Sequence, residues 1–191
     1  VTLTAAAGQS YSWSNGSTTQ SITVSLAGSY SATVATVNGC VDTTATYTTT
    51  VFADADTSVT ASGPLSFCNG GSVTLTAGAG QTYLWSNGAT TQSITVSQTG
   101  SYSATVTTSN GCIATTGVYT TSVFATADTT LTTSGPLSFC NGGSVTLTAA
   151  AGQTYLWSNG STIQSITVSQ AGSYSATVTT ADGCVGTTAT L

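Results

Sequence analysis

Cysteine and aspartate are the side chains with chemistry to offer in this chain, five of each. The cysteines occupy two recurring sites. Cys68 and Cys140 each end a Ser-Phe-Cys run, while Cys40, Cys112 and Cys184 each follow Asn-Gly or Asp-Gly, and within each site the positions differ by 72. The aspartates do not recur in this way: Asp42 is matched by Ala114 and Gly186, Asp54 by Thr126 and Asp182 by Asn110, so that only Asp56 and Asp128 correspond. Lys, Arg, His and Glu are absent. General acid–base catalysis needs a poised base, and nucleophilic catalysis an activated nucleophile. Neither is available, so no catalytic residue and no enzymatic activity are expected.

Zinc sites are built from clustered thiolates and imidazoles, and this chain has no His and no Cys-x-x-Cys pair. The cysteines therefore read as disulfides, which places the chain in an oxidising, extracytoplasmic setting. Two pairings fit the period. Cys68–Cys112 with Cys140–Cys184 closes each repeat on itself, and Cys40–Cys68 with Cys112–Cys140 bridges neighbours. The first is preferred, because a module of roughly 70 residues gains most from an internal staple; Cys40 would then find its partner upstream of Val1. Each closed loop would contribute about 3–4 kcal/mol.

Three further patterns bear on function. Asp54 and Asp56 in one join and Asp128 in the next suggest calcium, but that ion takes six to eight oxygens with several carboxylates, so a solvated acidic linker is expected, with no metal and no cofactor. Asn15-Gly16-Ser17 and Asn159-Gly160-Ser161 match the N-glycosylation pattern, yet the copy Asn87-Gly88-Ala89 breaks it while keeping the turn, so these are hairpin turns. Asp42-Thr43-Thr44 and Asp128-Thr129-Thr130 match an acceptor pattern of bacterial O-glycosylation, with Thr43 and Thr129 as the candidate acceptors. Phosphate and anionic-lipid binding rely on Lys and Arg, so nucleic acid and membrane surfaces are excluded as partners; no apolar run is long enough to span a bilayer.

These sites are positioned by a repeat. Trp13, Trp85 and Trp157 each open Trp-Ser-Asn-Gly, and residues 62–73 return at 134–145, again 72 apart. The chain thus holds about two and two-thirds copies of one unit, with boundaries expected at 1–54, 55–126 and 127–191. The first copy begins at the counterpart of Val73 and the last stops at the counterpart of Tyr119, so a parent chain continuing in both directions is expected.

Thr and Ser make up about four residues in ten, and β-branched residues favour strands. In the middle copy, strands are expected at 65–67, 72–77, 81–85 and 93–96. A continuous fifth strand is expected at 101–107, and a long last one at 112–124, bulged near Gly117. Short strands with turn signals every 8–12 residues point to a β-sandwich. Trp13, Trp85 and Trp157 are expected in the core, as are Tyr30, Tyr102 and Tyr174; a sugar-stacking tryptophan platform is the rival reading. The joins lack Gly and Pro, which suits a stiff rod, and Thr and Ser ladders could let such rods pair laterally.

Cys-x-Gly-Gly-Ser-Val-Thr-Leu-Thr, Tyr-x-Trp-Ser-Asn-Gly-x-Thr-Thr-Gln-Ser-Ile-Thr-Val, Gly-x-Tyr-x-Ala-Thr-Val and Asn-Gly-Cys together resemble the immunoglobulin-like, PKD-like tandem repeats of large bacterial cell-surface proteins. They are also similar to the SprB-type repeats of gliding-motility adhesins. The resemblance covers nearly the whole chain. It implies an all-β rod or fibre of immunoglobulin-like β-sandwich repeats, export by type IX secretion, a domain disulfide Cys68–Cys112, and core roles for Trp85 and Tyr102. The implied function is a structural segment of an extracellular filament or stalk, adhesive at a distal tip, whose partners are neighbouring repeats and laterally associated fibres. A glycan- or surface-binding adhesin module acting through avidity is the alternative.

Overall fold

Strict alternation decides the central strand of the middle repeat: in Val73–Ala77, Val73, Leu75 and Ala77 are buried while Thr74 and Thr76 face outward. A computed structural model describes all 191 residues, and the chain is all-β, without a helix. It divides into two compact units, Val1–Asp54 and Ala55–Leu191.

In the middle repeat, Val73–Ala77 pairs with Ser93–Val96 on one side and Val59–Ala61 on the other, both antiparallel. A second sheet runs Thr82–Trp85, Ala104–Thr107, Ile113–Thr115. The two sheets share one core of Val73, Leu75, Ala77, Trp85, Ile94, Val96, Ala104 and Val106. The third repeat has the same two sheets around Val145, Leu147, Ala149, Trp157, Ile166, Val168, Ala176 and Val178. In the first unit, Ala5, Trp13, Ile22, Val24 and Ala32 form the core.

Two strands expected as continuous are broken. Gly100–Tyr102 pairs with Tyr119–Phe124, while Ala104–Thr107 pairs with Thr82–Trp85, so the chain changes sheet at Ser103. Likewise Ile113–Thr115 and Tyr119–Phe124 belong to different sheets. Thr116, buried at the second crossing, explains the switch: its Oγ1 accepts from the Ala104 amide (2.9 Å) and donates to the Gly117 carbonyl (3.0 Å), satisfying groups the interrupted ladder leaves open. Val59–Ala61 adds a short strand to those expected from the sequence.

Ser66–Cys68 pairs in parallel with Tyr119–Phe124, placing Cys68 opposite Phe124. Thr121 in that last strand is fully buried, and its hydroxyl donates to the Gln98 carbonyl at 2.7 Å.

Hydroxyl pairs cover the outward faces. Thr74–Thr95 (3.1 Å), Thr76–Ser93 (2.8 Å), Thr146–Thr167 (3.1 Å) and Thr148–Ser165 (2.8 Å) lie across neighbouring strands. A sheet usually keeps its exposed face polar with charges; here cross-strand hydroxyls do so without them.

Candidate functional site

The ends of the middle repeat are set by strand direction. Thr82 pairs with Thr107 and the Gln81 amide donates to the Thr107 carbonyl (2.8 Å), so the hairpin tip carrying Cys112 lies beside the Gly78–Gly80 loop. That loop meets the start of the repeat: a Cβ on Gly78 would collide with the Asp56 carboxylate. Cys68, beside Phe124, lies where the chain leaves. The two cysteines of one repeat are therefore at opposite ends of it.

Cys68 bonds instead to Cys184, with Cα atoms 5.6 Å apart and 116 residues of separation. Cys40, Cys112 and Cys140 are free thiols. The expected Cys68–Cys112 and Cys140–Cys184 pairs are thus corrected, and the alternative pairs Cys40–Cys68 and Cys112–Cys140 are not formed either. The reason is the parallel Ser66–Cys68 strand, which carries its cysteine to the exit of the repeat, while the next hairpin tip hangs over the entrance of its successor. Gly186, two residues past Cys184, lies so close to Ala127 and Thr129 that a Cβ there would clash. The cystine therefore straddles the join at 125–127. The 72-residue period allowed this pairing, since it fixes only which two classes of cysteine recur and not which copies meet.

The hairpin cysteines share one backbone turn in all three copies, and the second and third copies add the same side-chain bond. The Cys112 amide donates to Thr108 Oγ1 (3.1 Å) and the Cys184 amide to Thr180 Oγ1 (3.0 Å). Thr108 and Thr180 each donate an amide to the carbonyl of that cysteine at 2.9 Å, as Thr36 does to Cys40. On the other side, Gly71 and Gly143 donate to the carbonyls of Cys68 and Cys140, both at 2.9 Å. Cys184 is buried, Cys112 half-buried, and Cys40 and Cys140 exposed.

The joins are less solvated than expected. Ala55 and Ala127 are buried in the cores of the repeats they open. Their recurrence between polar neighbours was the available signal. Asp56 Oδ1 accepts from the Ser58 amide and Asp128 Oδ1 from the Thr130 amide, each at 2.9 Å, so both carboxylates cap local turns. Hydrogen bonds from the Ser58 amide first, then its hydroxyl, and from the Ala79 amide hold the Asp56 carboxyl below its ordinary 3.8. The unfolded chain then binds the proton more readily, so stability contributed by this group is present above 3.8 and is lost as pH falls through the lower folded-state value. NMR titration of the Asp56 carboxyl should show the lowered midpoint, and Asp56→Asn should flatten stability across that acidic window. A slope unchanged in Asp56→Asn would remove Asp56 from the account.

Trp13, Trp85 and Trp157 are buried, and each indole Nε1 donates to a backbone carbonyl six residues on, Trp85 to Thr91 at 2.8 Å. Inward rings leave no tryptophan face on which a sugar could stack. Tyr30, Tyr102 and Tyr174 are half-buried and pack against the cores from their margins, each ring lying along the glycine two residues before it. Asn15, Asn87 and Asn159 each accept from the amide two residues on at 3.1 Å, with Gly16, Gly88 and Gly160 at φ of 85–87°, so the sequon asparagines are engaged in turns. Thr43 and Thr129 are exposed.

No protein-family model matches the chain, and no curated protein matches it. Among solved structures, the chain is similar to Bacteroides ovatus SGBP-B, of the mixed-linkage glucan utilization locus, in complex with a mixed-linkage heptasaccharide. The identity is 16%, the match covers 100% of this chain and 61% of that one, and the TM-score is 0.26. The chain thus spans about three-fifths of that structure's length, and a likeness at this score says nothing of what this chain binds.

Proposed function

We propose that this chain is a structural segment of an extracellular filament or stalk, built from tandem immunoglobulin-like modules and carrying tension from one module to the next. The observation that carries this reading is the cystine across the join, Cys68–Cys184. A bond there contributes little to recognising a ligand, but it holds two successive modules together under load. A stable cystine belongs outside the reducing cytosol. Near-identical copies, a surface of paired hydroxyls and the lack of His, Lys and Glu support the same reading, and the motif resemblance to cell-surface and SprB-type repeats suggests type IX secretion as the export route. The chain on this view is not an enzyme.

Gold-labelled antibody against the full chain, applied to intact cells that produce it, should decorate extended surface appendages in rows. Label confined to the cell interior would end the proposal. Tight, selective retention by a glycan array would replace it with the avidity-based binding module.

A further inference from the structure

Every asparagine of this chain stands directly before a glycine. Such a pair can close on itself, the glycine amide nitrogen attacking the side-chain carbonyl carbon of the asparagine, because glycine puts no side chain in the way. All of these asparagines are exposed, so access to water does not separate them. The hydrogen bond of the glycine amide does.

Two kinds of turn hold the pairs. In the first kind the glycine amide closes the turn. Gly16, Gly88 and Gly160 donate to the carbonyls of Trp13, Trp85 and Trp157, each at 2.8 Å, and Gly39 and Gly111 donate to those of Thr36 and Thr108 at 3.0 Å. Asn15, Asn87 and Asn159 are held a second time, through Oδ1, by the amide two residues on. Cys-Asn-Gly-Gly is the other kind. Its turn closes one residue later, Gly71 to Cys68 and Gly143 to Cys140 at 2.9 Å, so Asn and the first Gly take the two central positions. Gly70 at φ +91° and Gly142 at φ +88° have the backbone form that the third position of a type II turn requires. The amide between the central residues of a turn takes no part in the closing bond. Gly70 and Gly142 accordingly donate to no carbonyl of the protein.

We infer that Asn69 is a self-modification site, with Asn141 as its copy: the Gly70 amide nitrogen closes on Asn69, whose side chain is converted to a carboxylate. The Gly70 nitrogen gives up its proton and bonds to Asn69 Cγ, the Cγ–Nδ2 bond breaks, and ammonia leaves with that proton. Water then opens the five-membered imide at either carbonyl, leaving aspartate or isoaspartate. One water is consumed and one ammonia released, with no oxidant, cofactor or second protein. At the other asparagines the glycine amide must first break its bond, which slows closure by roughly two- to tenfold for each bond lost. Conversion puts a negative charge next to Cys68, in a chain whose formal charge is only −5. The flank of the cystine thus gains charge with age while the hairpin turns do not. This inference does not rest on the filament reading.

The test ages the full, disulfide-bonded chain in mildly alkaline buffer, beside the same chain reduced and unfolded in urea. Samples are then reduced and cut with pepsin, whose acidic buffer arrests imide formation, and conversion of each asparagine is followed by mass spectrometry. Pepsin serves because the chain has no Lys or Arg for trypsin. In the folded chain Asn69 and Asn141 should convert first, ahead of Asn110 by about two- to tenfold and of Asn87 by more. Unfolding should erase that order. Asn69→Gln, whose longer side chain closes poorly on the next amide, should silence position 69 and leave Asn141 converting. Equal rates for Asn69 and Asn87 in the folded chain overturn the inference. So does an unfolded chain that keeps the same preference, since the order would then belong to the local sequence and not to the turn. None of these outcomes alters where antibody label falls on cells, so the filament reading stands or falls separately.

Discussion

Reducing Cys68–Cys184 should lengthen the fully unfolded chain, pulled between its ends, by roughly 400 Å. The bond shorts out 116 residues, and extended chain spans at most about 3.3–3.6 Å per residue. With the bond intact, those residues are shielded from the load however far the rest unravels. Single-molecule stretching with and without a reductant reads the difference directly, and equal contour lengths would show that the cystine does not carry load. The same bond should matter at equilibrium. Closing a loop of 116 residues restricts the unfolded chain by about 5 kcal/mol in the chain-entropy account. Urea unfolding of Cys68→Ser or Cys184→Ser, followed against the unmodified chain, should therefore show a loss of that order. Cys112→Ser, which breaks no bond, should stay within about 0.5 kcal/mol.

Trp85→Ala should cost the middle repeat about 3–5 kcal/mol. Trp85 is 2% exposed, sits between the two sheets and anchors its ring through the bond to the Thr91 carbonyl. Truncation removes the largest side chain of that core and leaves the carbonyl without its donor. Two small sheets have little else to fill the void. The neighbouring Leu84, 55% exposed, is the control. The first repeat carries Ser12 at this position, so Leu84→Ser should change stability by no more than about 0.5 kcal/mol. Chemical denaturation monitored by circular dichroism separates the two. A loss for Trp85→Ala as small as that for Leu84→Ser would mean that the core is not organised around this ring.

The core was readable in the residues because a strand's side chains alternate with period two. Val73, Leu75, Ile94 and Val96 announce an inward face, and the Asn-Gly turns announce where each strand ends; Gly88, at φ +87°, takes the backbone form the turn needs. The failures share a cause. Residues 101–107 and 112–124 read as single strands because alternation reports which face a side chain takes and is silent about which sheet the backbone joins. Ser103 and Thr116 make that choice through hydrogen bonds to partners far along the chain.

Local chemistry along the polypeptide was enough to establish an all-β chain in 72-residue copies, its tryptophan core and its turns, because each of these depends on near neighbours or on a period. The partner of Cys68 depends on something else. It requires knowing that Ser66–Cys68 runs parallel to Tyr119–Phe124, and that the hairpin ending in Cys184 folds back over the join. A covalent bond between sulfurs 116 residues apart is a meeting of two surfaces in space. Only the folded arrangement brings those surfaces together, which is why a pairing compatible with the period could still be missed.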